Sequence, residues 1–211
     1  MTPIEFVRDP ETFMAERVEA TPLVPAVALG IAGLAGAAVS VIVTQQTLGA
    51  IGGGGETFRR VMLAVTVATS LVVPFVVWGV IAGTVHLLTM AFAAEGSFRR
   101  TLRVTGYALL PYALGTFVVA GVQYYVLGAL PPVQEPEQVQ AFARAYENHS
   151  LVTVSSITYT AFLVWSGVLL TLGIEHARHV TRREAAIAAG IPIGLWALWQ
   201  LVGVAGALPV G

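Results

Sequence analysis

Histidine is the side chain whose charge changes near neutral pH, and this chain of 211 residues carries four: His86, His149, His176 and His179. His86 lies deep in an apolar stretch, where an ionisable group marks a proton or ligand site by default. It follows Gly79 by seven residues and Gly83 by three. That spacing puts all three on one helical face, so His86 is expected to point at other helices and not at lipid. The plainer role is a neutral ring hydrogen-bonded to a neighbouring helix. Tyr107, Gln123 and Ser166 are the other polar side chains that could share a polar path with it. Glu175-His176 with His179 sets two imidazoles one turn apart, a spacing able to touch one metal ion. The order is not His-Glu-x-x-His with its internal general base. A cation at a helix C-terminus is favoured by the dipole in any case, so His176 and His179 are weak metal candidates beside a surface-capping role. Asn148-His149-Ser150 is a glycosylation sequon, but it abuts an apolar stretch where access is poor.

Other chemistry is missing from the sequence. There is no cysteine, hence no disulfide framework, thiol nucleophile or Cys-based metal site. No Gly-x-Ser-x-Gly, no Gly-x-x-x-x-Gly-Lys and no pair of membrane-embedded carboxylates occurs. The four glycines at 52–55 have no Lys after them and no strand before them. Neither an enzyme nor a cofactor is expected, and a net charge of −1 gives no sign of nucleic acid as a partner.

The elements that must hold these residues are membrane spans. Hydrophobic residues make up 56% of the chain and charged ones 11%, against about 25% charged in soluble proteins. Five stretches reach the roughly 20 apolar residues that cross a bilayer: 23–44, 61–93, 104–127, 151–174 and 185–208. Lipid cannot satisfy an open backbone, so each must be a helix. The expected fold is all-α, a bundle of five transmembrane helices over 23–208.

Residues 1–22 read as a polar, retained head, with Glu5, Asp9, Glu11, Glu16 and Glu19 where a signal peptide would be basic. Asp9 is the expected N-cap of a short helix with Pro10 in its first turn and Phe13, Met14 and Val18 as its apolar stripe. Residues 49–56 read as a glycine loop. Residues 128–150 form an extracytoplasmic loop with a short helix from Pro136, whose apolar face is Val139, Phe142 and Tyr146. Thr181 and Glu184 have capping-box spacing before the fifth span.

All eleven cationic side chains are Arg. Five spans put eight of them on the side of the N-terminus and three (Arg59, Arg60 and Arg144) on the other. The arginine bias then predicts a cytoplasmic N-terminus and a C-terminus outside. Small residues should bury three helix faces: Ala28, Ala32, Gly36 and Ser40 in the first span, Gly79 and Gly83 in the second, and Ala186, Gly190 and Gly194 in the fifth. Such faces also suit other membrane proteins or a second copy as partners. Pro74, Pro111 and Pro192 each free one carbonyl, so kinks are expected there.

One passage resembles the central signature of the Yip1-domain family of membrane proteins. It runs Gly96-Ser97-Phe98, then Arg99, Arg100 and Thr101, then Gly106-Tyr107-Ala108-Leu109-Leu110-Pro111. Asp9-Pro10-Glu11-Thr12-Phe13, Pro22, and the run from Gly173 to His179 leading to Arg183, Ala185 and Pro192 also look like the family. The resemblance implies five spans, a cytoplasmic N-terminus and a non-enzymatic scaffold or adaptor that organises membrane lipids or partner proteins. It is to the prokaryotic branch, in a cell membrane. The Asp-Leu-x-Gly-Pro signature of the eukaryotic members has no counterpart here, which argues against their GTPase partners. The competing reading is a small permease or channel with a polar path near His86.

Overall fold

A computed structural model describes residues 5–51 and 55–206. Among them it contains helices and no strand: α1 (Glu5–Arg8), α2 (Pro10–Arg17), α3 (Leu23–Ile51), α4 (Glu56–Met90), α5 (Phe98–Ala108), α6 (Leu110–Ala129), α7 (Gln138–Glu147), α8 (Ser150–Arg178) and α9 (Arg182–Gly206). The chain is an all-α integral membrane protein with five candidate spans: α3, α4, α5 with α6, α8, and α9. The side of the bundle that carries α1 and α2 is called the head side and the opposite one the far side. Helix α4 ends on the head side and α6 on the far side, where α7 lies.

Helix α8 is the centre of the bundle and packs against α9, α6, α5 and α2, while α3 packs against α4 and α6. Its Leu163, Ser166, Leu169, Leu170, Ile174 and Ala177 are fully buried. The outward faces of the spans are apolar and exposed, and Tyr124, Tyr125 and Trp199 stand toward the far-side ends of α6 and α9. Amphipathic rings are favoured at that depth, where one edge meets water.

Helix α3 runs on to Ile51, so the expected loop at 49–56 is shorter than its glycines imply; residues 52–54 lie outside the described part. Helix α7 begins at Gln138, after a turn in which the Pro136 carbonyl accepts from Val139 N–H. Its Phe142 and Tyr146 pack on Val39, Ala120 and Leu127 of the bundle.

Two of the three small-residue faces need correction. Gly79 is exposed and Gly83 has no neighbour where a Cβ would stand. Ala186, Gly190 and Gly194 are also exposed, and α9 buries Ala185, Ala188, Ala189, Ile193 and Ala197 instead. Lipid and a protein core are both apolar, so residue size along a row does not fix which side meets protein. Helix α3 approaches α4 closely at Gly33, where a Cβ would lie 2.9 Å from the Ser70 carbonyl oxygen. Ser70 is four residues before Pro74, which has no N–H to offer that oxygen. The freed carbonyl thus faces the one residue type that gives it room. The helix continues unbroken through Pro74 and Pro192, whereas it is interrupted at Leu109, φ −83° and ψ 2°, two residues before Pro111.

Candidate functional site on the head side

The head docks on the bundle through its own capping chemistry. Asp9 Oδ1 accepts from Thr12 N–H at 3.1 Å and Pro10 occupies the first turn of α2. The helix so started turns Phe13 and Met14 inward, and Met14 is fully buried. Burying such side chains contributes about 1.5–3 kcal/mol each, so apolar packing holds the head. Ion pairs orient it. Arg182 reaches Glu11 at 3.0 Å and Glu175 at 2.8 Å, while Glu19 takes Arg100 at 2.6 Å and Arg103 at 2.9 Å. The arginine clusters read as topology signals therefore also grip the head. Exposed pairs add little stability singly.

The hydrogen bond from Arg100, with help from Arg103, holds the Glu19 carboxyl below its ordinary 4.5. A carboxyl depressed in the folded state supports docking above its unfolded pKa and loses that support as pH falls through the folded one. Mobility of a spin label on α2 should stay constant from neutral pH down to that carboxylate range and rise only below it. Arg100→Gln should bring the rise to higher pH; an unchanged profile would remove Glu19 from the account.

The Gly106-Tyr107 pair seats the head from below. Tyr107 donates its hydroxyl to the Thr21 carbonyl at 2.8 Å, and its ring meets Phe13 edge-on at 6.2 Å. The Arg17 guanidinium lies 4.9 Å from the Phe13 centroid and 5.4 Å from that of Tyr107, within range of a cation–π interaction. At Gly106 a Cβ would stand 2.7 Å from Trp78 Cζ2. Trp78 lies across it and donates Nε1–H to the Leu102 carbonyl at 2.7 Å. Pro111 opens α6, and the N–H of Tyr112 turns aside to the Ser166 hydroxyl at 3.1 Å. Ser166 thus satisfies a buried donor at the helix break.

The tightest feature of this side was not singled out in the sequence. Arg178, 1% exposed, ends α8 beneath the α4–α5 loop. Its Nε donates to Thr89 Oγ1 at 3.1 Å, Nη2 to the Ala94 carbonyl at 3.4 Å and Nη1 to the Gly96 carbonyl. Glu95 N–H donates back to the Arg178 carbonyl at 3.1 Å. The loop fits only because Ala93 has φ 53° and Gly96 φ 96°, a region that glycine enters freely. A Cβ on Gly96 would also stand 2.6 Å from the Ala177 carbonyl oxygen. The signal available was an arginine at the end of an apolar span, facing a short loop with glycine.

His86 is only four residues from the end of α4, nearer the surface than its apolar surroundings imply. Its Nδ1 lies 3.3 Å from Thr101 Oγ1 and its ring packs on Phe98 at 5.4 Å, both on α5. His86, Tyr107 and Ser166 each have separate partners, and Gln123 lies toward the far-side end of α6. Ser166 meets the backbone of Tyr112, which lines a cavity with Gln123, and neither Ser166 nor Gln123 meets His86. His176 is half-buried and His179 exposed with φ 52° as the cap of α8. Among the described residues no three His, Cys, Asp or Glu side chains gather as a metal site. The capping box forms as spaced, with Thr181 N–H on Glu184 Oε2 at 2.9 Å.

Comparison with known proteins agrees with this architecture. An uncharacterised protein of Methanocaldococcus jannaschii is 41% identical over 69 residues, which cover 31% of this chain and 49% of that protein. The chain thus matches about half the length of that relative. No solved structure matches significantly. The Yip1 domain matches residues 4–204, which takes in the docked head, the Arg178 loop, the Gly106-Tyr107 seat and all five candidate spans. By that match the chain belongs to the Yip1 domain family.

Proposed function

We propose that the protein is a non-enzymatic scaffold or adaptor that organises lipids or partner proteins from its head side. The observation that carries this reading is the separate engagement of His86, Tyr107 and Ser166. His86, Tyr107 and Ser166 each complete a local packing joint, and none faces another across a shared space. A permease path through His86 needs polar groups that converge on it near the midplane, whereas His86 and Gln123 sit toward opposite ends of the bundle. The head side, which we take as cytoplasmic with the C-terminus outside, carries exposed Arg99 and Arg183 without ion-pair partners among the described residues. Such cations attract anionic lipid heads. The exposed row Ala186, Gly190 and Gly194 offers a close-packing face to a helix of another membrane protein or a second copy.

Affinity capture of the intact protein from native membranes tests the reading. A defined protein or anionic lipid should be retained and should be lost from the double variant Arg99→Glu, Arg183→Glu. A cytoplasm-dependent reporter fused after Gly211 should stay silent. Solute or proton flux in proteoliposomes that His86→Ala abolishes, with the fold intact, would install the permease instead.

A further inference from the structure

We propose that the far-side half of the bundle holds a binding site for a neutral, hydroxyl-bearing ligand, either the head of an uncharged amphiphile or a free polyol. Two cavities meet at Gln123. The larger, about 470 Å³, lies under α7 between α3 and α6. Ser40, Thr44, Thr47, Gln123, Tyr146 and Glu147 supply its polar atoms. The smaller, about 270 Å³, continues toward the bundle interior past Thr116, Ser156, Tyr159 and Gln200 to Tyr112. The larger volume falls in the range of ordinary ligand pockets.

The lining decides the ligand class. It is rich in hydroxyls, with the carboxamides of Gln123 and Gln200; neither cavity has a Lys, Arg or His, and the single carboxylate, Glu147, is exposed to solvent. An anionic head such as a phosphate would enter with no cation to meet it, and desolvating it would be costly. A purely apolar chain would leave the remaining hydrogen-bonding capacity of Gln123, Gln200 and the lining hydroxyls unused. A neutral head with several hydroxyls meets both conditions.

Several lining hydroxyls donate to their own helices, Thr47 to the Val43 carbonyl at 2.9 Å, Thr116 to Tyr112 at 3.0 Å and Ser156 to Val152 at 2.9 Å. Their lone pairs stay open as acceptors for a hydroxylated guest. Gln123, at the junction, supplies both donors and an acceptor. Burial pushes the Tyr146 hydroxyl pKa up, against a smaller opposite effect of its hydrogen bond with Gln123, so it remains a neutral donor. The apolar part of an amphiphile would lie along Val39, Val43, Leu127 and Phe142 in the same wall.

This inference does not depend on the scaffold reading. Its test uses the full chain in phosphatidylcholine nanodiscs, followed by thermal unfolding with increasing monooleoylglycerol, methyl oleate, oleate or free glycerol. Monooleoylglycerol should raise the melting temperature saturably, while methyl oleate and oleate should not. Gln123→Leu should weaken half-saturation by roughly tenfold or more, the worth of a lost buried hydrogen bond. Should that variant fold poorly, Tyr146→Phe, at the half-buried roof, should weaken it by a smaller factor. Glycerol saturating the same effect, also sensitive to Gln123→Leu, would assign the site to a soluble polyol. Equal shifts with methyl oleate, a preference for oleate, or shifts that neither substitution changes would overturn the proposal.

Discussion

Arg178→Ala should lower the stability of the folded protein by about 3 kcal/mol, the combined worth of lost hydrogen bonds to a charged group and a cavity left behind. The side chain is fully buried and donates to a hydroxyl and two loop carbonyls. Removing its charge relieves the cost of burying it, which for many internal ions cancels the loss. Two features make the loss win here. The charge lies in the last turn of α8, where the helix dipole already favours a cation. Two of its three acceptors are carbonyls of a loop with two left-handed residues, which would lose both bonds at once. Arg178→Lys keeps the charge but lacks the fork that spans three acceptors, so it should recover less than half of the loss. Thermal unfolding in detergent gives the size of the effect, and proteolysis after Glu95 gives its location. Unchanged melting for Arg178→Ala with an intact loop would mean that the arginine is a passenger.

Span number, helix type and the family were legible because each rests on a signal that lipid enforces. A long run without charge cannot stay in water, and Gly106, Tyr107 and Pro111 form a pattern that apolar composition does not produce by itself. The orientation of each helix about its own axis was not legible. In α9 the expected row Ala186, Gly190 and Gly194 is offset by one residue from the buried Ala185, Ala189 and Ile193. A one-residue offset turns a face by about 100°. Both rows contain small residues, and only the neighbouring helices choose between them. A soluble helix would have marked the difference with charge.

The candidate site was partly legible for a related reason. Met14 and Phe13 could be read as one stripe of a short capped helix, yet nothing local tells a membrane surface from a protein groove, since both reward burial. The groove was chosen by the end of α8 around Gly173, far away in sequence. Arg178 was counted only for the side of the membrane it favours. Its second use depends on the Ala94 and Gly96 carbonyls arriving over it, which is a long-range fact. Ser166 entered as a polar group inside a span and its partner proved to be the backbone that Pro111 leaves irregular. In all three cases residue type indicated a demand, and tertiary packing decided which partner met it.

Gly106 gives the sharpest test that the Gly106-Tyr107 seat is a packing joint and not a reaction centre. In the middle of a helix, alanine is favoured over glycine by about 1 kcal/mol, so an uncrowded site would gain from Gly106→Ala. Here the added methyl would stand 2.7 Å from Trp78 Cζ2, 2.9 Å from Cε2 and 3.0 Å from Pro25 Cβ. Trp78 cannot retreat cheaply, because its indole N–H is committed to the Leu102 carbonyl. Overpacking costs about 1–3 kcal/mol and the strained indole bond about 1 more. Gly106→Ala should therefore be net destabilising by about 2 kcal/mol, and Gly106→Val by more. Trp78→Phe removes the two crowding ring atoms and the indole bond together. On that background Gly106→Ala should cost much less, so the double-mutant cycle should return a coupling of about 1 kcal/mol or more. Tyr107→Phe, which gives up only the hydroxyl bond to Thr21, should lose about 1 kcal/mol and stay additive with both. Strict additivity between positions 78 and 106 would refute the packing account. So would a silent Tyr107→Phe in stability joined to a lost cellular function, which would make that hydroxyl the working group.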